Sequence, residues 1–530
     1  NYYRLSYECL DNTFKKVKQS DEVILSVPTN NSYEDVEFYA TVSDIRESPF
    51  VLTFNISEKQ WKTKHDHDSS VVFRFESASA IVNPVPAKYG NVADSPFKAL
   101  KNICDQFIET KNLPEIINQI LEKKPSSDIS IANSKNPSSD DIYKICLKMH
   151  NTFLAIQGPP GTGKSSMLGE VIAKLYHDGY KVGLVAPNYA SSLNLAKKVS
   201  HYLNDEEVID FLGGSEEIKK EIEEIDHIRS ATASQLEKSN LLSTFINRIC
   251  HKKHKDQFDF IIIDEVGQVP LATTLAATES TKNLVLIGDP QQLPQVKKGS
   301  HPNNNGFTTL EYLVGDSVTI QEELGVFLDK TYRLHPTINS FISTFFYDNR
   351  LLNDPLTSQR FLDSYEKPLM PSGIQFINVE HEGNTQASFE EIDALEDITG
   401  KLLNSEINLA GQVRQIVEED ILIVSPYNLQ VYEIGKRLGE KFRVGTVDKF
   451  QGQEAPIVIV SLAASNYEDA PRGLDFILNY NRMNVALSRA QCLSVVIGSP
   501  KLTNLHYQSL NSLKLSNFHR TLIDPSSLTL

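Results

Sequence analysis

The stretch that decides the fold of this 530-residue chain is Gln157-Gly158-Pro159-Pro160-Gly161-Thr162-Gly163-Lys164-Ser165. It fits the pattern G-x-x-x-x-G-K-[ST] at every fixed position. An apolar run, residues 152–156, precedes it and is typical of a buried strand. Behind it, apolar residues from Leu168 to Leu175 recur with the spacing of one helix face. The glycines are therefore predicted to lie on a strand–loop–helix turn, the context of a phosphate-binding loop (P-loop).

The residue types in this loop explain how it would hold phosphates. Glycines allow successive backbone N–H groups to converge on a phosphate without a Cβ clash, and the following helix adds the positive end of its dipole. Lys164 can reach the β- and γ-phosphates, and the Ser165 hydroxyl can take a place on Mg²⁺. A chance glycine-rich turn is a poor alternative, because every fixed position matches in the right context. The predicted nucleotide-binding residues are Gly158, Gly161, Thr162, Gly163, Lys164 and Ser165.

Length and composition restrict the class of protein. A chain of 530 residues is too long for one core and predicts about two to four domains. The formal net charge of −16 argues against a protein that coats nucleic acid through a wholly basic surface, although it allows a local basic groove. No apolar run of 18 residues occurs, so no membrane span is predicted. The five cysteines form no C-x-x-C pair, which offers no zinc site and indicates a reducing compartment, the cytoplasm or a bacterial nucleoid.

The N-terminal part of the chain, residues 1–88, is predicted to be a small β domain. Short runs of β-type residues that are separated by polar turns are typical of an antiparallel sheet or barrel. These runs are Glu22–Val27, Glu37–Val42, Phe50–Ile56 and Val71–Phe75. A linker-like segment follows them near residues 84–90, and this segment marks the expected end of the domain.

Two further apolar strands end in acidic residues. Residues 260–263 lead into Asp264-Glu265, and residues 284–287 lead into Gly288-Asp289. Strands that are apolar along their whole length are buried on both faces, as in a parallel sheet, and ligands bind beyond the carboxyl ends of such strands. We therefore expect both acids at the same edge as the P-loop, within a domain that spans residues 89–328.

A second α/β unit is predicted for residues 329–530. It contains no second P-loop, so we expect a domain without phosphate glycines to face the nucleotide-binding domain. The segment Glu390–Leu403 is predicted as a helix, with Ser388 and Glu391 spaced as a capping box. The strand candidates of this unit are Ile374–Val379, Ile421–Val424, Ile457–Leu462 and Leu493–Ile497.

Asp264 and Glu265 are the candidates for the acidic pair that nucleotide hydrolysis requires. Asp264 would hold Mg²⁺ and Glu265 would polarise the attacking water, although a single acid after a strand is often only an N-cap. The amide of Gln292 could sense the γ-phosphate, although Gly-Asp-Pro is also a turn sequence. Arg333 and Arg489 could meet the charge that develops in the transition state, although any one arginine is usually a surface residue.

Six ordered motifs make a family resemblance specific. They are GPPGTGKS, DEVGQ, GDPQQLPQ, TYRLHP, VDKFQGQE and NRMNVALSRA, and they resemble motifs I to VI of superfamily 1 helicases over about residues 150–500. Their form is similar to superfamily 1B, the branch of the nonsense-mediated-decay RNA helicase, and most like the helicase part of bacterial RecB-like nuclease–helicase fusions. The resemblance implies an α/β fold with two tandem RecA-like parallel-sheet domains and an N-terminal small β-barrel domain.

The resemblance also implies roles for further residues. Tyr332 would stack on adenine, Arg333 and Arg489 would contact the γ-phosphate of ATP, and Gln451 and Glu454 would couple the nucleotide to the strand. Backbone amides and hydroxyls can contact phosphates without a large positive charge, so the acidic composition is compatible with a groove for single-stranded nucleic acid. The residues expected to line that groove are Asn188, Ser191, Thr232, Pro426, Tyr427, Thr446 and Lys449.

The resulting prediction is a monomeric helicase or translocase that uses ATP and Mg²⁺ and moves 5′→3′ on single-stranded DNA or RNA, with DNA as the first expectation. Two alternatives stay open: a nucleoprotein remodeller with little unwinding, and a nucleotide-gated binding module without turnover. Selectivity for adenine is less firmly predicted, because the segment before the P-loop lacks the glutamine with which many relatives read the base.

The chain is also expected to be the motor part of a larger protein. It starts at Asn1 without a methionine, and its resemblance is to nuclease–helicase fusions. Residues 1–150 contain no spaced set of Asp, Glu and Lys residues with which a RecB-like nuclease holds its metals. A nuclease or other effector domain would then be its partner in the same full-length chain, and a free-standing helicase is the alternative.

Overall fold

The computed structural model describes most of the 530-residue chain. The described residues are 2–8, 22–27, 36–47, 50–57, 81–84, 95–126, 137–232, 239–294, 306–450, 452–467, 470, 473–503 and 510–524. Before residue 85 only the backbone of the strands is described. The chain divides into two compact units, one centred on the N-terminal strands and one made of Pro96–Gln295 and Phe307–Leu530.

The N-terminal unit is an antiparallel sheet. Its strands are β1 (Tyr2–Glu8), β2 (Glu22–Val27), β3 (Val36–Glu47), β4 (Phe50–Ser57) and β5 (Ile81–Pro84). They lie in the order β1-β4-β3-β2-β5, and every pairing is antiparallel. Three of the four predicted runs are confirmed as strands, whereas Val71–Phe75 lies outside the described residues. Within the described part β1 and β5 are the two edges of the sheet, so closure into a barrel stays a prediction.

The P-loop follows a strand of an eight-stranded parallel sheet. The strands are β6 (Phe153–Gln157), β7 (Val182–Ala186), β8 (Ile209–Leu212), β9 (Ile228–Ala231), β10 (Leu241–Phe245), β11 (Phe258–Ile263), β12 (Thr281–Gly288) and β13 (Gly325–Phe327). They lie in the order β13-β6-β12-β11-β7-β10-β8-β9. The central strands are apolar along their length because both of their faces are buried, as the sequence predicted.

Alternate residues of the central strands pack into two different hydrophobic cores. Phe153 and Ala155 of β6 belong to one core, and Leu154 and Ile156 belong to the other. The helices of this region are α1 (Ser95–Thr110), α2 (Glu115–Glu122), α3 (Ser139–Leu147), α4 (Lys164–His177), α5 (Tyr189–Ser200), α6 (Glu216–Glu223), α7 (Ile246–Ile249), α8 (Leu271–Ala277) and α9 (Thr309–Val314). The apolar face of α4 packs into the second core and thereby fixes the P-loop on the sheet.

A second parallel sheet follows in the same unit. The remaining strands are β14 (Lys330–Thr331), β15 (Leu352–Asn353), β16 (Arg360–Ser364), β17 (Gly373–Asn378), β18 (Glu406–Leu409), β19 (Gln412–Gln415), β20 (Ile421–Val424), β21 (Arg443–Gly445), β22 (Ala455–Ser461) and β23 (Ala490–Gly498). The sheet has the order β17-β23-β22-β20-β21, and it contains all four predicted strands. β14 pairs with β15, and β16, β18 and β19 form a small antiparallel sheet.

Two parallel sheets with helices confirm the α/β fold class with two RecA-like domains. The helices of the second part are α10 (Pro336–Phe346), α11 (Phe389–Leu403), α12 (Asn428–Leu438), α13 (Leu474–Ile477), α14 (Tyr480–Leu487) and α15 (Leu510–Ile523). The boundary predicted after residue 328 falls between β13 and β14 and stays a prediction, as does the boundary after residue 88. None of the helices in the described part of the chain is long and apolar enough to cross a membrane.

The capping box predicted at the start of α11 is only half formed. The Ser388 hydroxyl accepts a hydrogen bond from the backbone N–H of Glu391 (3.2 Å), as expected. The Glu391 carboxylate, however, is fully buried and accepts hydrogen bonds from the Ser461 hydroxyl (2.6 Å) and the Ala463 N–H (2.9 Å). The reciprocal bond to Ser388 is lost because a buried carboxylate is stabilised more by these donors than by an exposed helix end.

Candidate active site

The P-loop has the backbone that the glycines allow. Gly161 and Gly163 have φ values of 73° and 77°, in the left-handed region. A Cβ at Gly158 would lie 2.3 Å from Cγ of Lys164, so a side chain at this position would displace the lysine. Lys164 begins α4, and its Nζ donates to the carbonyl oxygen of Gly158 (2.5 Å). The strand–loop–helix turn predicted from the sequence is therefore confirmed.

The P-loop is hydrogen-bonded to a segment 171 residues further along the chain. The Tyr332 N–H donates to the carbonyl oxygen of Gly161 (2.8 Å), and the Thr331 hydroxyl donates to that of Pro160 (3.0 Å). A Cβ at Gly161 would lie 2.4 Å from Cβ of Arg333, so this glycine permits the close approach. Arg333 is thus held against the phosphate loop by the backbone.

The two acidic strand ends meet at the P-loop edge of the first sheet, as predicted. The Gly158 N–H donates to the carbonyl oxygen of Gly288 (2.9 Å), and Asp264 follows β11 beside β12. Asp264 is buried, and its carboxylate accepts from the N–H of Glu265 (2.8 Å). Burial and the neighbouring charge of Glu265 raise the pKa of Asp264 to about 7. Two adjacent carboxylates in a poorly solvated place are stabilised by a cation.

Gln292 lies at the same edge, but its amide is bonded to the protein. Its Nε2 donates to Oδ2 of Asp289 (3.0 Å), a buried carboxylate whose pKa is raised by that burial. The same carboxylate accepts from the backbone N–H of Gln291 (3.1 Å). A contact between the Gln292 amide and a γ-phosphate would therefore require this hydrogen bond to break.

Both predicted arginines lie near the P-loop edge. Nε of Arg333 pairs with Oε2 of Glu454 (2.5 Å), and Nη1 of Arg333 donates to the carbonyl oxygen of Ser488 (3.1 Å). Arg489 is 6% exposed, and its Nη1 donates to the carbonyl oxygen of Gln453 (3.0 Å). Burial, with the charge of Arg333 as the second cause, lowers the pKa of Arg489 to about 10, so the side chain is still a cation at neutral pH.

The arrangement of charges fits a polyanion with a bound divalent cation. Nε of Arg489 is a buried donor without a hydrogen-bond partner among the described residues. Lys164 and Arg333 add two more cations, and the positive-φ glycines leave backbone N–H groups for phosphates. Asp264 and the Ser165 hydroxyl supply the oxygen ligands that Mg²⁺ prefers. The described residues contain no group of three or more His, Cys, Asp or Glu side chains placed to hold a metal ion.

Of the other residues predicted to contact the nucleotide, Tyr332 lies within the described part of the chain and Gln451 does not. Tyr332 is 46% exposed, and Nζ of Lys330 lies 5.1 Å from its ring centroid, so its ring is open to a base. Gln451 lies outside the described residues.

The sequence did not indicate Arg360, whose Nη1 donates to the carbonyl oxygen of Arg333 (2.5 Å). Arg360 stands at the start of β16, away from every motif, so only the tertiary structure could identify it.

The residues predicted to bind a single strand follow strand ends in both sheets. Thr232 follows β9 and is exposed, and Asn188 is the N-cap of α5, where its Oδ1 accepts from the N–H of Ser191 (2.9 Å). In the second sheet, Pro426 and Thr446 follow the ends of β20 and β21, which are parallel neighbours. The two sets are thus at carboxyl strand ends, as expected of a groove across parallel sheets.

Two of the predicted groove residues differ in exposure: Tyr427 is buried and Lys449 is exposed. Tyr427 is only 4% exposed, and its ring centroid lies 5.3 Å from that of Phe476. Its ring therefore belongs to the hydrophobic core and is not available to stack on a base, because the apolar packing at the start of α12 buries it. Lys449, by contrast, is exposed beside β21.

A cavity next to Lys449 contains residues that the sequence analysis missed. It has a volume of about 530 Å³ and lies between α12 and β21. Tyr432, which is 65% exposed, lines it together with Lys436 and Arg443. In this region Arg437 and Lys441 form ion pairs with acidic residues. The signal in the sequence was the mixture of aromatic and basic residues between motifs IV and V.

The comparisons with known proteins agree with this geometry. Two family models, each described as an AAA domain, match residues 136–304 and 310–501. Helicase SEN1 from Saccharomyces cerevisiae is 23% identical over 570 residues, which cover 92% of this chain and 24% of that protein. Putative helicase mov-10-B.1 from Danio rerio is 26% identical over 438 residues, which cover 73% of this chain and 42% of that protein.

One further curated relative and one solved structure also match. The DNA replication ATP-dependent helicase/nuclease dna2 from Schizosaccharomyces pombe is 26% identical, over 66% of this chain and 26% of that protein. A solved arterivirus nonstructural protein 10 (helicase) with DNA is 13% identical, covering 93% of this chain and 81% of that chain at a TM-score of 0.40. The chain spans less than half the length of the three curated relatives. The AAA-domain matches, the named helicases among the curated relatives and the ordered motifs make the chain similar to the superfamily 1 helicases.

Proposed function

We propose that the chain hydrolyses ATP at the P-loop and uses the energy to move along single-stranded nucleic acid. The observation that carries this proposal is the position of Arg333 and Arg489 beside the P-loop of the first sheet. Arg333 is packed against Gly161, and its Nη1 donates to the carbonyl oxygen of Ser488, the residue before Arg489. Cations at this place would stabilise the charge that develops on the transferred phosphoryl group.

Each residue around the P-loop has a proposed part in the hydrolysis. Lys164 and the loop N–H groups would bind the phosphates, and Glu265 would orient and polarise the attacking water. Ser165 and Asp264 would hold Mg²⁺, which neutralises charge on the β- and γ-phosphates when it is bound. Tyr332 would stack on the base.

The Arg333–Glu454 ion pair offers a way to couple the nucleotide to movement. Glu454 directly precedes β22, and its second oxygen accepts from the amide of Gln491 (2.8 Å). A γ-phosphate would compete with Glu454 for Arg333, and hydrolysis would return Arg333 to Glu454. The exchange would change the contacts between the two sheets at each turnover.

The proposed path of the strand crosses the carboxyl ends of both sheets. Asn188, Ser191 and Thr232 would contact it on the first sheet. On the second sheet Pro426, Thr446 and Lys449 would do so, and Gln451 would link the strand to the nucleotide. The cavity lined by Tyr432, Lys436 and Arg443 supports this path, because aromatic rings stack on bases and cations neutralise phosphates in strand-binding proteins. It is also a local basic region on a chain with a net charge of −16.

The direction of movement, the choice between DNA and RNA and the partner domain are proposed from the family resemblance. We propose 5′→3′ movement by a monomeric superfamily 1B motor, with DNA as the first candidate strand. One relative, a DNA replication ATP-dependent helicase/nuclease, supports a motor that works with a nuclease or other effector. Contacts through phosphates and stacking do not by themselves separate DNA from RNA.

Changes in the basic cavity are expected to weaken strand binding without changing the hydrolytic site. ATP turnover of the parent chain should rise on addition of single-stranded DNA or RNA. Tyr432→Ala should need more strand for the same stimulation, because base stacking contributes about 1–3 kcal/mol per base. Lys436→Ala should reduce the salt dependence of strand binding by about 0.7 in log–log slope for a lost phosphate contact.

Strand titrations by fluorescence anisotropy and by ATP turnover measure both effects, and DNA and RNA of the same sequence compare the sugars. Tyr365→Ala is the matched control, since Tyr365 is 41% exposed and lies outside the cavity. If Tyr432→Ala and Lys436→Ala bind strands as tightly as Tyr365→Ala, the cavity is not on the path. A parent chain that hydrolyses ATP at the same rate with and without strand contradicts the proposed function.

A further inference from the structure

A buried hydrogen-bonded bridge connects the P-loop edge of the first sheet with the helix that leads to Arg489. Its centre is Tyr347, which directly follows α10 and is 0% exposed. The Tyr347 hydroxyl donates to Oδ2 of Asp289 (2.6 Å) and accepts from Nδ2 of Asn484 (2.8 Å). Asn484 lies on α14, five residues before Arg489. None of the six sequence motifs includes Tyr347.

Both ends of the bridge are fixed to the segment after β12. Nδ2 of Asn484 also donates to the carbonyl oxygen of Gln291 (2.8 Å). One turn earlier on α14, Nδ2 of Asn481 donates to the carbonyl oxygen of Pro290 (2.9 Å). Asp289 directly follows Gly288, whose carbonyl oxygen accepts from the N–H of Gly158 in the P-loop (2.9 Å). These hydrogen bonds, together with the peptide bond between Gly288 and Asp289, therefore connect the P-loop to α14.

The chemistry of the bridge suits a network that holds its members in one relative position. Burial and the charge of Asp289 raise the pKa of Tyr347 well above its ordinary value, so the hydroxyl stays a neutral donor. The Asp289 carboxylate is an acceptor that also holds Gln292 (3.0 Å), so the γ-phosphate sensor candidate is bound to the same group. A buried network of this kind defines one relative position of its members, because each unpaired polar group would be costly.

We propose that Tyr347 is a positioning residue for ATP hydrolysis, which holds Arg489 at the P-loop through Asp289 and Asn484. This inference rests on the proposed function of the P-loop and the arginines. Tyr347 contacts neither nucleotide nor water in this account. It acts by setting the position of α14, and with it the guanidinium that meets the transition state.

A double-mutant cycle in the whole 530-residue chain tests the inference. Tyr347→Phe removes only the hydroxyl, and we expect kcat to fall about tenfold or more, the effect of one hydrogen bond to a charged group, with little change in KM for ATP. In an Arg489→Ala background the same change should cost almost nothing, because the group that Tyr347 positions is absent. Single-turnover conditions keep the slow rates of that background measurable.

Tyr480→Phe is the matched control. Tyr480 lies on α14, the helix that carries Asn484, but its hydroxyl donates to the carbonyl oxygen of Lys514 (3.2 Å) and takes no part in the bridge. It should leave kcat unchanged. An equal fold-loss from Tyr347→Phe in both backgrounds overturns the inference, as does a loss confined to KM. If Tyr347→Phe does not fold, Asn484→Ala is carried through the same cycle and must show the same dependence on Arg489. A parent chain without ATP turnover would instead contradict the proposed function itself.

Discussion

Replacement of Glu265 by glutamine is expected to remove ATP turnover while the nucleotide still binds. Glutamine keeps the size of the side chain but cannot polarise the attacking water, and proton transfer of this kind contributes about 10²–10⁴-fold to a rate. Glu265 has a φ of 52°, so its backbone already adopts a rare conformation that the neighbouring residues fix. Single-turnover hydrolysis and the Kd of a fluorescent ATP analogue measure the two effects separately.

Comparison with Lys164→Ala separates the loss of phosphate binding from the loss of water activation. Because Lys164 would contact the phosphates in the ground state as well as in the transition state, its loss should weaken both nucleotide binding and turnover. Glu322→Gln, an exposed position, is the control with the same chemical change. A Glu265→Gln chain that hydrolyses ATP at the parent rate would show that another group activates the water.

Alanine at Arg333 or at Arg489 is expected to give the second large loss. An arginine supplied to a transferred phosphoryl group is worth about 10³–10⁵-fold in rate, or roughly 4–7 kcal/mol. The loss should appear mainly in kcat and far less in the affinity for ATP, because the charge that the arginines meet develops in the transition state. Steady-state kinetics with a nucleotide-binding titration checks this division.

The two arginines should also differ from each other. Arg333→Ala leaves Glu454 without its ion-pair partner at 2.5 Å, whereas Arg489→Ala removes a cation that forms no ion pair with a carboxylate among the described residues. Arg520→Ala, an exposed change on α15, should affect neither kcat nor binding. Equal losses in kcat and in ATP affinity, or no loss in either variant, would contradict the proposed stabilisation of the transition state by these arginines.

Local patterns were sufficient to predict the parts of the fold that depend on neighbouring residues. The P-loop turn, the buried strands before Asp264 and Asp289, and the four strands of the second sheet depend on apolar periodicity and on glycine positions. These patterns reflect burial on both faces of a strand, which a parallel sheet requires. The meeting of Asp264 and Asp289 at one edge also follows, because parallel strands share their carboxyl ends.

Features that depend on contacts between distant segments could not be predicted. Glu391 has the spacing of a capping box, yet Ser461, 70 residues away, donates to its carboxylate and draws it into the core. Tyr427 is predicted to line the strand groove, yet its ring is buried and packs against Phe476. Arg360 and Tyr347 carry no motif at all, and their partners Arg333 and Asp289 are identified only in three dimensions. Local spacing cannot decide which of several possible partners a polar side chain takes.

Movement along a strand is the central claim, and displacement of streptavidin from biotinylated single strands tests it most directly. Strands labelled at the 3′ or the 5′ end, of DNA and of RNA, are incubated with the chain, ATP and Mg²⁺, and with Glu265→Gln as the inactive control. The account predicts ATP-dependent release from the 3′ end, which a 5′→3′ motor reaches, and no release by Glu265→Gln. Release from the 5′ end only would contradict the direction. ATP hydrolysis without release from either end would contradict movement itself.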